Sequence, residues 1–347
     1  MATNDIHIRN VGRTGRITLS RPQALNALNH EMTLEIEHAL DHWSRTGDVD
    51  MILIDAEGER AFCAGGDLSE IYQTGREGDF SCSRSFWADE YRMNALIAGC
   101  ATPYVALMDG IVMGGGAGIS AHGSHRIVTE RSMIAMPECG IGLVPDVGCS
   151  FVLARAPGHL GEFLAMTGWR MNDGDAIFSG FADIAVNAGD LAALKTRLEE
   201  TADPDAIDAF ERSAGESALA RHIDVIERHF GGETALDCLR SLEADDSEFA
   251  QRAAAMIRRG CPLAVACAFE LVRQARSLET VSEALRHEFR FTYRSMSDGD
   301  FLEGIRAQII DKDRNPKWRI TRLEDVDRET VCAMLAPLGA EELQIKA

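Results

Sequence analysis

The sequence predicts an α/β fold that continues into an α-helical C-terminal region. Short apolar runs alternate with helical patterns over the first half of the chain, and no such runs recur after about residue 188. The chain has 347 residues, of which 46% are hydrophobic and 26% are charged. This composition is typical of a globular protein with a sizeable core, built as one large domain or two ordinary ones.

Five apolar runs in the first half predict strands, because they are short and bounded by polar or glycine-containing segments. The clearest helix between them covers residues 31–44, where Met32, Ile36, Leu40 and Trp43 share one face. Since strands and helices alternate, we expect a sheet that is covered by helices. The predicted strands are residues 16–20, 51–56, 104–108, 125–129 and 133–136.

The second half of the sequence contains helical patterns. Pro262 suits the first turn of one of these helices, and the polar residues 201–204 and 243–246 suit loops. We therefore expect an α/β core over residues 1–190 and a helical region over residues 191–347. The predicted helices are residues 190–200, 205–213, 248–259, 262–276 and 280–296.

The charge balance limits the classes of partner. A net charge of -20 opposes binding to nucleic acid or to an anionic membrane surface. The sequence has no apolar run of the roughly 18 residues that a membrane helix needs. Residues 1–10 combine no basic segment with an apolar one, so nothing predicts export, and we expect a cytoplasmic protein.

Cysteine and histidine patterns do not predict a metal site. The nine cysteines include no Cys-x-x-Cys pair, which favours reduced and mostly buried thiols. His38 and His42 lie one helical turn apart near Glu35, but no third residue with zinc-like spacing accompanies them. We interpret this pair as part of a solvent-exposed helix face.

Two glycine-rich turns are the first candidates for a binding site. Residues 62–67 read Phe-Cys-Ala-Gly-Gly-Asp, and residues 113–118 read Met-Gly-Gly-Gly-Ala-Gly. Glycine lets a ligand approach the backbone closely, so the N–H groups of two such turns could stabilise an oxyanion. Tight turns with a purely structural role are the alternative. Neither turn matches a dinucleotide or ATP fingerprint.

Two acidic residues are candidates for catalysis. Glu138 ends the segment Met136-Pro137-Glu138, and Asp146 follows eight residues later. A pair of carboxylates near a polarised carbonyl can divide the work of activating water and orienting the substrate. Alternatively, both acids are solvated loop residues. Ser120 is a poor nucleophile candidate because its surroundings miss the G-x-S-x-G pattern by one residue.

Together these motifs resemble the crotonase superfamily, also called the enoyl-CoA hydratase/isomerase family. Within it, the sequence is most similar to the 3-hydroxyisobutyryl-CoA hydrolases, and the resemblance runs nearly from end to end. The matching segments, in the order expected for the family, are residues 17–22, 25–29, 61–67, 109–110, 113–118, 135–138, 142–148, 304–307 and 310–318.

The resemblance implies a spiral of repeated β-β-α turns with a helical C-terminal region that covers the acyl pocket or joins subunits, leaving homo-oligomerisation open. It implies that an acyl-CoA thioester is the substrate and that coenzyme A is part of it, without a separate cofactor. The residues that it assigns are Gly66 and Gly115 in the oxyanion hole, Glu138 and Asp146 as functional acids, Ala64, Gly65 and Gly114 along the bound ligand, and Glu90 in the substrate pocket.

One departure from the hydratase pattern favours hydrolysis. The resemblance places the second catalytic glutamate of the hydratases at position 118, where this chain has glycine. Hydrolysis of a thioester needs an oxyanion hole and an activated water or a carboxylate nucleophile, and those parts are present. We therefore expect release of coenzyme A from a short branched 3-hydroxyacyl-CoA. The alternatives are another crotonase reaction, such as hydration or isomerisation, and a catalytically silent acyl-CoA-binding protein.

Overall fold

Strands and helices alternate through the first half of the chain in the computed structural model, which describes residues 5–345. All five predicted strands are present within about two residues of their expected bounds, and several shorter ones accompany them. The strands are β1 (Ile6–Val11), β2 (Thr14–Leu19), β3 (Met51–Ala56), β4 (Ala61–Cys63), β5 (Tyr104–Met108), β6 (Ile111–Met113), β7 (His125–Val128), β8 (Met133–Ala135), β9 (Ile184–Val186) and β10 (Glu211–Arg212).

The strands form two sheets. The larger sheet has the order β1-β2-β3-β5-β7-β9-β10, with parallel pairing from β2 to β9 and antiparallel pairing at each end. The smaller sheet has the order β4-β6-β8. Each successive pair from β3 to β8 therefore gives its first strand to one sheet and its second strand to the other. This regular division confirms the expected repetition of β-β-α turns.

The helices occupy the connections and most of the second half of the chain. The α-helices are α1 (His30–Thr46), α2 (Ser69–Arg76), α3 (Ser81–Ala98), α4 (Gly115–Gly118), α5 (Cys149–Leu153), α6 (Leu160–Thr167), α7 (Asp173–Phe178), α8 (Leu191–Thr201), α9 (Ala218–Arg221), α10 (Ile223–Phe230), α11 (Ala235–Glu243), α12 (Glu248–Arg259), α13 (Pro262–Ala275), α14 (Val281–Ser295), α15 (Phe301–Ile305) and α16 (Arg328–Leu335). Short 3-10 turns cover Pro22–Ala24, Glu138–Ile141, Ala188–Asp190, Pro204–Phe210, Leu323–Asp325 and Gly339–Glu341, and Arg306–Ile310 forms a π-helical turn.

The chain divides into two units that alternate along the sequence. The first contains the described residues up to Gly66 together with Asp89–Ile134 and Arg170–Ala218. The second contains Asp67–Ala88, Ala135–Trp169 and the described residues from Leu219 onward. The first unit thus extends past residue 190, and the second takes two segments from the first half of the chain.

The core of the first unit lies between the larger sheet and α8. Leu194 and Leu198 of this helix pack with Leu53, Val105 and Ile127 of the central strands, and all five are buried. On α1 the buried residues include Met32, Ile36, Leu40 and Trp43, which confirms the predicted apolar face. Burial of these side chains removes apolar surface from water and is the main stabilising contribution here.

The second unit is mostly helical and is organised around α13. Eleven residues of this helix are buried, and α13 packs against α5, α6 and α14. The helix α14 begins with a capping box, in which the Thr280 side chain accepts a hydrogen bond from the Glu283 N–H and the Glu283 carboxylate accepts one from the Thr280 N–H. This motif satisfies two donors that a helix start otherwise leaves unpaired.

The predicted helix over residues 205–213 is wrong. Pro204–Phe210 forms a 3-10 turn, and Glu211–Arg212 then pairs antiparallel with β9, so the strand signal does not end near residue 188. Ile207 is buried in the first unit's core with Phe210 packed against it. The Arg212 guanidinium donates hydrogen bonds to the Val186 carbonyl and to Asp173. These contacts with distant residues outweigh the local helical pattern.

Candidate active site

The first glycine turn follows β4 in the first unit and is held by the preceding loop. The Asn26 side-chain amide donates hydrogen bonds of 2.9 Å to the carbonyls of Glu57 and Ala61. The Leu28 N–H donates to the Gly65 carbonyl at 2.9 Å. Gly65 has a φ of +114°, which a residue with a side chain rarely adopts. Glycine at this position therefore allows the turn to form.

The second glycine turn lies beside the first. Gly114 has a φ of +48°, and Gly115 begins α4. A Cβ atom on Gly116 would overlap the carbonyl oxygen of Cys63, so only glycine lets α4 approach the end of β4 this closely. A Cβ atom on Gly115 would lie 3.6 Å from the Gly66 backbone nitrogen. The two predicted oxyanion-hole residues are thus neighbours.

The backbone N–H groups of Gly66 and Gly115 are available for a ligand. Within residues 5–345, neither N–H donates a hydrogen bond to another group of the protein. Gly115 is buried and Gly66 is partly exposed. Two adjacent backbone donors without a protein acceptor are the arrangement that stabilises an oxyanion.

Glu90 lies next to this pair of glycines. Its carboxylate atom Oε1 would lie 2.5 Å from a Cβ atom on Gly115, and the Glu90 residue is only 3% exposed. Burial raises the pKa of the neighbouring Cys63 thiol to about 12, and the charge of Glu90 adds to this increase. The structure therefore places the predicted pocket residue Glu90 beside the oxyanion donors.

Ala64 lies in the first glycine turn, directly before Gly65. Its N–H donates to the Leu25 carbonyl at 3.1 Å, which fixes the backbone just before Gly65. Ala64 and Gly114 are both partly exposed, so a ligand can reach them. Their role along the bound ligand, like that of Gly65, remains a prediction.

Glu138 lies in the second unit, at the start of the 3-10 turn Glu138–Ile141. The residue is 5% exposed, and its Oε2 atom is buried without a hydrogen-bond partner among residues 5–345. Burial raises the pKa of this carboxyl well above its ordinary value of 4.5, and the charges of Asp146 and Glu288 raise it further. A buried carboxyl oxygen that lacks a protein partner is suited to bind water or substrate.

Three glycines surround the turn that carries Glu138. A Cβ atom on Gly304 would overlap the Ile141 carbonyl oxygen, and one on Gly168 would lie 3.0 Å from the Pro137 Cα atom. One on Gly142 would lie 2.9 Å from the Asp300 carbonyl oxygen. Gly142 and Gly168 also have positive φ angles of +77° and +60°. Neighbouring backbone therefore packs directly on this turn and fixes its position.

Asp146 lies in the turn before α5 and is 4% exposed. The next residue, Val147, has a φ of +53°, and Gly148 follows with a φ of +81°. A β-branched residue in this left-handed region is strained by about 1–3 kcal/mol and persists only where its surroundings impose it. Because both Glu138 and Asp146 are buried, the interpretation of these acids as solvated loop residues is wrong.

Sequence reasoning missed two buried polar residues, Glu288 in the second unit and Asn94 in the first. Glu288 of α14 is fully buried and accepts hydrogen bonds from the Gly148 and Ser150 N–H groups. Asn94 of α3 is also fully buried, and neither polar atom of its side chain has a hydrogen-bond partner within the described part of the chain. Asn94 lies one helical turn after Glu90, so the two residues share a face of α3. This spacing is the sequence signal that could have identified Asn94.

The predicted residues, with the newly found Glu288, thus form two groups. Gly66, Gly115 and Glu90 lie together in the first unit, and Glu138, Asp146 and Glu288 lie together in the second. Residues 5–345 contain no group of three or more His, Cys, Asp or Glu side chains placed to hold a metal ion. Across the same residues, the helices are too short or too polar to cross a membrane.

The repeated β-β-α turns and the two adjacent glycine turns are typical of enzymes that act on acyl-CoA. The sequence model of the enoyl-CoA hydratase/isomerase family matches residues 14–335, and the chain belongs to this family. Relatives named 3-hydroxyisobutyryl-CoA hydrolase, mitochondrial, include the rat protein, 38% identical over 353 residues, and the human protein, 35% identical over 354 residues. Each alignment covers 99% of this chain and 91% of the relative.

Two solved structures are similar over nearly the whole chain. One is described as an enoyl-CoA hydratase from Rhodobacter sphaeroides 2.4.1, with 49% identity, a TM-score of 0.94, and coverage of 98% of this chain and 100% of the other. The second is described as a carnitinyl-CoA dehydratase from Mycobacterium thermoresistibile, with 38% identity, a TM-score of 0.95, and coverage of 99% and 100%. These similarities confirm the expected crotonase-type fold.

Proposed function

We propose that this protein hydrolyses 3-hydroxyisobutyryl-CoA to 3-hydroxyisobutyrate and coenzyme A. The observation that carries the proposal is the Glu138 carboxyl, which is buried beside Asp146 and has an oxygen without a protein partner. The choice of substrate is supported by relatives named for this hydrolysis, which align with 99% of the chain. Coenzyme A belongs to the substrate, and the proposal requires no separate cofactor.

In this proposal the two glycine turns bind the thioester. The N–H groups of Gly66 and Gly115 would donate hydrogen bonds to the carbonyl oxygen and stabilise the negative charge that develops there. The backbone at Ala64, Gly65 and Gly114 would lie along the coenzyme A portion, and Glu90 would line the acyl pocket. Backbone donors hold an anionic ligand without a basic surface, which is consistent with a net charge of -20.

Glu138 and Asp146 would supply the acid–base chemistry. Ionised Glu138 removes a proton from water, the water oxygen forms a bond with the thioester carbon, and the carbon–sulfur bond breaks. The proton then passes to the departing thiolate, which leaves as coenzyme A. Asp146 would bind the substrate hydroxyl or the attacking water. Hydrolysis by this route needs one general base.

A covalent route would use the same residues. The Glu138 carboxylate would attack the thioester carbon, expel the thiolate and form an anhydride, which water then hydrolyses. A single turnover in ¹⁸O-water, followed by mass spectrometry of the peptide that contains Glu138, distinguishes the two routes. Label in the Glu138 carboxyl indicates the anhydride, whereas label in the product acid alone is the result expected for direct attack by water.

Enoyl-CoA hydration is the second candidate, because the solved structure with 49% identity is described as an enoyl-CoA hydratase. Gly118 argues against it, since the family resemblance places the second catalytic glutamate of hydratases at that position. A thiol-release assay with 3-hydroxyisobutyryl-CoA, isobutyryl-CoA and crotonyl-CoA tests the proposal. Thiol release that is fastest with the 3-hydroxyacyl substrate supports it, and no release with any substrate contradicts it.

The cellular compartment and the assembly state are part of the same proposal. We retain a cytoplasmic location, although the eukaryotic relatives carry the word mitochondrial in their names. Size-exclusion chromatography with light scattering measures the assembly state directly.

A further inference from the structure

Glu288 of α14 is fully buried and accepts three hydrogen bonds from Gly148 and Ser150, which follow Asp146 in the chain. We propose that Glu288 is a positioning residue, which holds the Asp146 turn in its left-handed conformation and, when it is ionised, supplies negative charge beside Glu138 and Asp146. The inference rests on the proposed function, since it assigns these two acids to the reaction. Glu288 touches neither substrate nor reacting atoms in this proposal and acts through the other acids.

The contacts of Glu288 form the first step of the argument. Oε2 accepts a hydrogen bond from the Gly148 N–H at 2.7 Å, and Oε1 accepts one from the Ser150 N–H at 2.9 Å. The Ser150 hydroxyl donates a further short hydrogen bond to Oε1. Each oxygen thus has at least one donor, and the two residues that donate flank the start of α5. Removing this acceptor would leave two buried backbone donors unpaired, which is costly.

The backbone conformation of the turn is the second step. Val147 and Gly148 both have positive φ angles, and they directly follow Asp146. A valine holds this conformation only when other contacts impose it. Glu288 accepts from the N–H groups at the end of this left-handed segment, so it fixes the direction in which the Asp146 side chain leaves the backbone.

The charge of Glu288 is the third step. Burial raises the pKa of Glu288 to about 8, although the hydrogen bonds from Ser150 and Gly148 act in the opposite direction. The titratable groups that interact with it are Asp146 and Glu138, and the buried Cys149 thiol, whose pKa is raised by burial and by all three acids. When ionised, Glu288 therefore increases the proton affinity of Glu138, the proposed base.

The substitution Glu288→Gln tests both roles. Glutamine keeps the volume, but it presents an N–H group to one of the two backbone donors and carries no charge. We expect kcat for 3-hydroxyisobutyryl-CoA to fall about tenfold or more, the effect of losing one orienting hydrogen bond to a charged group. We also expect the acidic midpoint of the kcat–pH profile to move to lower pH, because Glu138 then ionises more easily.

Two matched variants separate charge from contact. Ser150→Ala removes the hydroxyl donor but keeps the Glu288 carboxyl. Because that hydrogen bond lowers the pKa of Glu288, its loss reduces the charge only in part, so the acidic midpoint should move less than in Glu288→Gln. Glu288→Asp keeps the carboxyl group on a shorter side chain, so it should lower kcat without shifting the acidic midpoint to lower pH. This variant replaces Glu288→Gln in the test if the glutamine variant does not fold. A Glu288→Gln protein with wild-type kcat and an unshifted midpoint overturns the inference. A midpoint that shifts equally in Ser150→Ala also overturns it.

A measurement without turnover distinguishes failure of this inference from failure of the proposed function. The folded-state pKa of Glu288, about 8, exceeds its ordinary value of 4.5. Its contribution to stability is therefore present below pH 4.5 and is lost as pH rises toward about 8. The Tm of Glu288→Gln relative to the wild type should increase over this range. A constant difference contradicts the inference, whereas an inactive wild-type protein contradicts the proposed function.

Discussion

The Glu90 carboxylate occupies the space that a side chain at position 115 would need. A Cβ atom on Gly115 would lie 2.5 Å from Glu90 Oε1 and 3.3 Å from a methyl carbon of Leu28. Glycine at position 115 thus allows a backbone donor and a buried acid to lie side by side. The arrangement relates the second glycine turn to α3, which carries Glu90.

Gly115→Ala should therefore lower kcat by about 10²- to 10³-fold, the effect of losing one oxyanion donor, because the methyl group displaces Glu90 or the turn itself. Steady-state thiol release measures the effect. Gly189→Ala in the same unit is a matched control, since a Cβ atom there would have no neighbour within 4 Å. Normal turnover in a folded Gly115→Ala protein would remove this N–H from the oxyanion hole.

Glu138→Gln should reduce kcat by at least about 10²-fold while acyl-CoA still binds, because the change removes the base or nucleophile and keeps the volume. Isothermal titration with a product or substrate analogue measures binding, and thiol release measures turnover. Glu233→Gln, at an exposed position in the same unit, should leave both unchanged. Equal turnover in the Glu138 and Glu233 variants would exclude Glu138 from the reaction.

The raised pKa of Glu138 predicts two effects of pH. Turnover should increase as pH rises through a value above the ordinary 4.5, because the ionised form is required. A folded-state pKa above the unfolded one means that the contribution of Glu138 to stability is present below pH 4.5 and is lost at higher pH. Glu138→Gln should therefore gain Tm relative to the wild type as pH rises. An acidic midpoint at or below pH 4.5 would contradict the assignment of the base.

Asp146→Asn should lower kcat/KM more for 3-hydroxyisobutyryl-CoA than for isobutyryl-CoA, if the carboxylate binds the substrate hydroxyl. The asparagine keeps the shape of the side chain but loses the charge, which weakens a hydrogen bond from a hydroxyl group. Comparison of kcat/KM for the two substrates isolates the hydroxyl contribution. Equal losses on both substrates would instead assign Asp146 to the attacking water.

Hydration of crotonyl-CoA should be far slower than hydrolysis of 3-hydroxyisobutyryl-CoA by the same preparation. Hydration needs two positioned acid–base groups, and loss of one typically costs about 10²- to 10⁴-fold in rate. Loss of enoyl absorbance and thiol release, followed in parallel, measure the two reactions. Hydration that equals or exceeds hydrolysis would favour the hydratase alternative.

The sequence predicted the elements with strong periodicity. The helix pattern over residues 248–259 coincides with α12 (Glu248–Arg259), and the strand over residues 51–56 coincides with β3 (Met51–Ala56). The three-residue strands β4 and β6 were missed because they are too short to display a periodic pattern, although the equally short β8 was predicted from its apolar run. The predicted helix over residues 205–213 was wrong because contacts with residues distant in the sequence determine the conformation of that segment.

The candidate site was predicted only where its residues belong to local motifs. The glycine turns and Glu138 lie in such motifs, whereas Glu288 is 140 residues from Gly148 along the chain. Its sequence neighbours His287 and Arg290 give it the appearance of a residue on a solvated helix face. Only the folded chain reveals that this acid is buried against a turn.

The three glycines around the Glu138 turn also restrict how this protein can evolve. Gly142, Gly168 and Gly304 leave no volume for even one methyl group without a shift of adjacent backbone. We therefore expect substitutions at these positions to disturb the turn, whatever acyl group the enzyme accepts. New specificity would have to arise from side chains that face the ligand, while the support of Glu138 stays constant among descendants.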